Sequence, residues 1–443
     1  MSSKFSKIGF ILAVAGSAVG LGNAWKFPYM VGENGGSAFV ILYLLITLTI
    51  GISIFFAEIS IGKLSESDPV TAYEGLAKKH KNIWKLAGFA SIGALLIISF
   101  YMVIIGWIMK YTILLATNLP KNIEESTQVF TSFVSSDILG QIFYFSISFV
   151  FCFFVVSRGI KNGIERLNVW MMPALGILLL IMLGFSFTMD GFSKSVEFLF
   201  VPDFSKITLR VLLDAIGLSF FTLSLGVCTI IAYSASLPDN TDIVKSSVII
   251  ILINVAIALV MGLIVFTFVF EFGSQPSQGP GLVFISLPTL FYQLGILGNV
   301  LAVMFFIALI FAGLTSAVSM LEPFASYLIG RHNFSRKKAL GVIGVFVYIA
   351  GVLSLLSQTK DFGASLTFFG KDFFSILDYT SSNLIMPISG IITSIFVGYF
   401  IDKNKVYTLF APYMSQKLIN IWFFMLKFVA PICLIIIMIR QII

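Results

Sequence analysis

Two polar, glycine-bearing stretches interrupt long apolar runs: Gly16-Ser17-Ala18-Val19-Gly20-Leu21-Gly22-Asn23 and, much later in the chain, Phe221-Thr222-Leu223-Ser224-Leu225-Gly226. Glycine weakens a helix, and a buried asparagine must find a partner, so each stretch invites a break. An unwound turn bares carbonyl oxygens that can replace a cation's hydration shell, while the half-helix beyond it offers free N–H groups to a carboxylate. The chemistry on offer is reversible binding of a cation and an anion together. Glycines that merely let helices pack closely are the competing reading. It suits one such stretch better than two in corresponding positions. Covalent chemistry lacks its parts: His80 and His332 fall in loops, no nucleophile stands beside a base, and no phosphate-binding glycine loop is present. Cys152, Cys228 and Cys433 lie in apolar runs without metal-ligand or disulfide spacing.

The elements that hold these stretches follow from composition. The chain is 58% hydrophobic and 11% charged, against roughly 25% charged in soluble domains, so its solvent is lipid. Apolar runs of about 20 residues recur throughout, the length a helix needs to cross a hydrocarbon core. Stretches such as Val248 to Phe270 do not alternate, which excludes a membrane barrel. Gly, Pro and charge punctuation divides the runs into about eleven spans, starting near residues 7, 37, 83, 139, 165, 209, 243, 296, 337, 373 and 419. The fold class expected is an all-α integral membrane protein, one domain over 1–443. Inverted repeats over approximately 7–188 and 209–400 carry the broken helices one and six, and an extra helix follows at approximately 417–441. The first apolar run continues through Trp25, Lys26 and Pro28, unlike a cleaved signal peptide. The net charge of +7 comes from short loops such as Lys63 to Lys85 and Arg331 to Lys338, which signals topology and not nucleic-acid binding. It predicts a cytoplasmic N-terminus, and the odd span count then predicts an outer C-terminus.

The segment from Gly16 to Tyr29 with Glu33-Asn34-Gly35-Gly36, the span-six stretch from Phe220 to Gly226, Asn254 in span seven, and Phe311-Ala312-Gly313-Leu314-Thr315-Ser316 in span eight resemble the neurotransmitter:sodium symporters, especially bacterial eleven-span amino-acid members. The resemblance implies sodium-coupled uptake of a zwitterionic amino acid by alternating access, in a bacterial inner membrane, by a monomer or weak homodimer. It implies two sodium sites. The first is similar to the Ala18 carbonyl, Asn23, Thr222, Asn254 and the substrate's own carboxylate. The second is similar to the Gly16, Val19 and Ala312 carbonyls with the Thr315 and Ser316 hydroxyls. Taken alone, Thr315 and Ser316 would read as a packing pair bonded to their own helix. The substrate's carboxylate is expected against the span-one break at Ala18, Gly20 and Gly22 and the hydroxyl of Tyr101. Its amine is expected against the span-six backbone from Phe220 to Thr222. Ile97, Phe221, Ser224, Val227, Ser316, Ala317 and Met320 would line a mainly apolar side-chain pocket, with room for a hydrophobic or aromatic amino acid.

Lys26 and Asp378 match the family's outer gate, and Phe221 with Tyr101 its aromatic lid; for Lys26, snorkelling to the interface is the bland alternative. Glu58, a charge in mid-span, is expected to support the span-six break. Gly163 and Pro173 match a motif that lets span five unwind, or else mark a simple kink. Two departures stand out. Tyr43, Leu218, Thr222, Asn254 and Ala258 replace the chloride-site pattern with apolar residues at 218 and 258, so no chloride dependence is expected. The family's basic and tryptophan residues before span one are matched by Met1 and Lys4, and the acidic partner after span eight by Gly330, so inner closure must take another form.

Overall fold

The computed structural model describes residues 4–276 and 279–442. Among them, nine helices are long and apolar enough to cross a membrane: Ser37–Ser65, Lys81–Thr117, Ile138–Ser157, Ile160–Ser186, Ile243–Glu271, Ile296–His332, Arg336–Leu356, Phe373–Phe400 and Gln416–Ile436. These are spans two to five and seven to eleven. Span one is a bent pair, Lys7–Ala18 and Gly22–Glu33, meeting at 47°. Span six consists of Leu209–Thr222 and Thr229–Ser234, two pieces each too short to cross alone.

Small oxygen-bearing side chains start many of these helices. Ser6 caps span one by accepting from the Gly9 N–H, and Asp242, Ser335 and Ser415 do the same for spans seven, nine and eleven. Lys81–Thr117 and Ile296–His332 pack along each other as the central pair, with span one against span eight. Large apolar side chains face outward on the peripheral helices, among them Leu139, Phe143 and Val150 on span four and Ile177 and Leu180 on span five. Polar side chains are buried instead, as expected where lipid takes the place of water outside. A two-residue hairpin, Thr367–Phe368 against Lys371–Asp372, precedes span ten. Six helical stretches widen into π turns, including Gly22–Lys26 in span one and Ile160–Glu165 in span five.

Candidate ion and substrate site

Span one stops at Val19, whose backbone turns extended at φ −79° and ψ 91°. The freed Leu21 N–H donates to the Tyr101 hydroxyl at 2.8 Å. On the other side, the Ser316 hydroxyl lies 3.0, 3.1 and 3.4 Å from the carbonyl oxygens of Gly16, Ser17 and Val19. Gly20 permits this closeness, since a Cβ there would sit 2.5 Å from Ser316 Oγ and 2.6 Å from the Tyr101 hydroxyl. A Cβ on Gly22 would likewise sit 2.8 Å from the Phe221 ring.

The span-six break is wider. Ser224, Gly226 and Cys228 take left-handed φ values of 53°, 80° and 62°. A Cβ on Gly226 would sit 2.3 Å from the Met386 carbonyl, and its N–H donates to Glu58 Oε1 at 2.7 Å. The buried carboxylate thus meets the break, as the mid-span charge suggested. The Ser224 hydroxyl donates to the Ser17 carbonyl at 2.7 Å, so the two interruptions touch.

Of the residues expected at the first sodium site, Asn23, Thr222 and Asn254 come together around Tyr43. Asn23 Nδ2 donates to Asn254 Oδ1 at 2.8 Å and to its carbonyl at 2.9 Å. Thr222 Oγ1 and the Tyr43 hydroxyl are 3.0 Å apart, and Asn254 Nδ2 reaches that hydroxyl at 3.4 Å. Asn23 is fully buried, and its Oδ1 has no hydrogen-bond partner. A buried carbonyl oxygen without a donor suits a cation, which needs acceptors only. The second set converges too, through Ser316 on the span-one carbonyls. Thr315 Oγ1 donates to the Phe311 and Ala312 carbonyls at 2.9 and 3.1 Å, so the bond to its own helix coexists with its place beside Gly16. Among the described residues no cluster of three His, Cys, Asp or Glu could hold a metal. The available donors are neutral oxygens, which fit a hard monovalent cation.

Between the breaks lies a small cavity. Ala18, Gly20, Gly22, Ile97, Tyr101, Phe221, Ser224, Val227, Ser316 and Met320 line it, joined by Ser17 and Met386. Phe220, Thr222 and Ala317 lie outside that lining. Thr222 turns to Tyr43, and the Phe220 ring rests on span ten, where a Cβ on Gly390 would meet it at 2.6 Å. The Phe220 carbonyl accepts from the Leu225 N–H at 3.1 Å. Adjacent positions on a helix face different ways, and a contiguous motif hides that. Met386 was not legible, being one apolar residue among many, although Pro387 beside it marks a disturbed helix. The cavity holds about 20 Å³, the space of one or two water molecules. The small Val227 leaves no large void, with the bulkier Phe221 and Met320 also in its wall.

Lys26 and Asp378 face a second cavity beyond Phe221, with Trp25, Tyr29 and Phe374. They form no ion pair with each other: Lys26 Nζ stands 4.5 Å from the centre of the Phe221 ring, and Asp378 Oδ1 accepts from the Ser382 hydroxyl at 2.9 Å. At the end carrying the N-terminus, Met1 lies outside the described residues. Lys4 Nζ meets Asp239 at 2.6 Å and Glu66 at 3.1 Å, and Lys63 Nζ meets the same two carboxylates at 2.7 and 2.9 Å. The two ammonium groups hold Asp239 down to about 2 and lower Glu66 as well. Gly330 takes no part; a Cβ there would meet Asp68 Oδ2 at 3.1 Å. Four charges dispersed over the sequence thus meet in one cluster at the end that carries the N-terminus.

A helical membrane bundle whose two interrupted spans meet around a small cavity defines a secondary transporter of the broken-helix class. The chain matches the sodium:neurotransmitter symporter family over residues 3–129 and 131–443, and it belongs to that family. It is 35% identical to YhdH, an uncharacterized sodium-dependent transporter of Bacillus subtilis, over 99% of this chain and 97% of that one. It is 32% identical to an uncharacterized sodium-dependent transporter of Haemophilus influenzae, over 98% and 97% of the two chains. The crystal structure of MhsT in complex with L-phenylalanine superposes with a TM-score of 0.89 at 35% identity, covering 99% of both chains. The protein is therefore a sodium-dependent membrane transporter and not an enzyme.

Proposed function

We propose that this transporter carries a zwitterionic hydrophobic or aromatic amino acid inward, coupled to two sodium ions, by alternating access in a bacterial inner membrane. The observation that carries the reading is the buried, donor-free Oδ1 of Asn23 beside the span-one break. Ala18, Asn23, Thr222 and Asn254 would hold the first ion together with the substrate carboxylate, which couples ion to substrate through a shared atom. Gly16, Val19, Ala312, Thr315 and Ser316 would hold the second. The Tyr101 hydroxyl, bonded to the Leu21 N–H, would add a donor to the carboxylate. Ile97, Val227, Met320 and Phe221 would take the side chain, and an apolar one by their chemistry. The phenylalanine complex of MhsT supports an aromatic substrate. Admission of such a side chain requires the Phe221 and Met320 walls to part.

Spans one to five and six to ten act as inverted repeats in this reading. The N-terminus is cytoplasmic, Lys26 and Asp378 gate the outer cavity, and the protein works as a monomer or weak homodimer. A tenfold sodium gradient and a potential of about 100 mV supply roughly 7 kcal/mol through two ions. Chloride is not required, since Leu218 and Ala258 are buried and apolar; uptake unchanged on replacing chloride by gluconate is the expected result. The central test is uptake of a labelled amino-acid panel into proteoliposomes with and without inward sodium. Sodium-driven accumulation of a large apolar amino acid, lost in Asn23→Ala, supports the reading. Binding without accumulation would point to a sensor instead.

A further inference from the structure

Span one carries two glycines seven residues apart, Gly9 and Gly16, which two helical turns place on one face. Span five fills both notches. A Cβ on Gly9 would lie 2.2 Å from Glu165 Oε1, and one on Gly16 would lie 2.0 Å from Asn168 Oδ1 and 3.1 Å from Thr315 Cβ. Glu165 is engaged, accepting from the Ser6 hydroxyl at 2.5 Å and the Ser6 N–H at 3.2 Å. Asn168 is different. It is fully buried, its Nδ2 donates to the Ile164 carbonyl at 2.8 Å, and its Oδ1 has no partner.

A buried amide oxygen left unpaired costs free energy comparable to a lost hydrogen bond, so its orientation needs a reason. Carbonyls of a helix point toward its C-terminus, so an ion on the Gly16 and Val19 oxygens lies on the break side of Gly16. The Asn168 oxygen lies 2.0 Å from where a Gly16 Cβ would be, and a helical Cβ tilts toward the helix N-terminus, which puts the oxygen on the N-terminal side of that ion. Beyond it on the same helix comes the Glu165 carboxylate, and between Gly163 and Pro173 the helix has the features that let it loosen.

We propose that Asn168 Oδ1 is the first ligand to receive the second sodium ion as it leaves toward the N-terminal end. This rests on the second sodium site as read above. A cation leaving its cage sheds ligands faster than water can replace them in a buried passage, and one prepositioned oxygen lowers that barrier. The glycine at 16 is what brings the oxygen close enough to act.

The test is dissociation of ²²Na⁺ from the purified full-length protein in nanodiscs. Asn168→Leu keeps the volume and removes the oxygen; Asn168→Asp keeps an oxygen but removes the Nδ2 donor. Asn168→Leu is expected to slow one dissociation phase about tenfold, with the half-saturating sodium concentration for amino-acid binding unchanged within twofold. Asn168→Asp is expected to restore the rate to within threefold. Asn168→Ala replaces the leucine variant, with the same expectations, if leucine is not accommodated. Wild-type release from the leucine variant overturns the proposal. So does an aspartate variant as slow as leucine, which would assign Asn168 to the Ile164 bond alone, or a tenfold loss of equilibrium sodium affinity, which would make it a resident ligand. Thr315→Ala separates the two readings: loss of one sodium phase supports the second site, whereas retention of both removes that site and the proposal with it.

Discussion

The two interrupted helices solve the same problem by different means. Span one breaks within three residues, with no positive φ at a non-glycine position, and exposes carbonyls that meet hydroxyls of other spans. Span six breaks over six residues through three left-handed positions and presents an N–H to a buried carboxylate. One break is an acceptor surface whose neighbours are adjustable hydroxyls; the other is a fixed loop. The difference teaches that a break which offers carbonyls needs freedom in what it contacts, while a break pinned by a buried carboxylate takes a rigid form.

Predictions that would break this contrast start with Gly226→Ala. A Cβ there combines a φ of +80° with a 2.3 Å approach to the Met386 carbonyl, and is expected to cost several kcal/mol. Little monodisperse protein should survive gel filtration, whereas Gly20→Ala, crowding only side-chain hydroxyls, should fold and lose substrate binding. A well-folded Gly226→Ala protein would show that the span-six loop is not fixed. Glu58→Leu strands the Gly226 N–H and should lower stability by about 1–3 kcal/mol, read as a lowered Tm. Asn23→Ala should raise the half-saturating sodium concentration at least about tenfold, equivalent to about 1.4 kcal/mol, enough to abolish accumulation at low sodium, with Tm lowered modestly because it strands the Asn254 acceptors. Asp239→Asn should alter uptake by less than about threefold, because the Asp239 carboxylate is itself exposed and screened. Asp239 contributes fully above its ordinary value near 3.8 and loses its contribution only as pH falls through about 2. The ratio of mutant to wild-type uptake should therefore stay flat from about pH 5 to 9. Lys26→Met should change Tm least of all, since Lys26 rests on the Phe221 ring and forms no ion pair, and a fall in uptake beside that unchanged Tm is what its role as a gate requires.

Both breaks were legible because glycine, asparagine and serine inside an apolar run violate the pattern that surrounds them. Ser316 followed from a contiguous family motif, and Tyr101 and Asn254 from single matching positions. The direction of the Phe220 ring was not legible, since a motif does not say which of two adjacent aromatics turns inward. The charge cluster at the N-terminal end was not legible, because Lys4, Lys63, Glu66 and Asp239 become neighbours only when the ends of spans one, two and six converge. Asn168 carries no local signal either; its meaning depends on the missing side chain of Gly16 across a helix interface.

The π turn at Ile160–Glu165 has a consequence for the history of the chain. It opens span five directly after Gly159, whose φ is 85°, and contains one residue more than the α turn it replaces, so it sets the rotation at which Glu165 and Asn168 enter the helix. Deleting one residue between 160 and 164, with the preceding loop held in place, would turn these two side chains by about 100° about the helix axis. Glu165 and Asn168 would then leave the grooves at Gly9 and Gly16. Length variation among related transporters should therefore be tolerated in the loops flanking span five and selected against within this one turn.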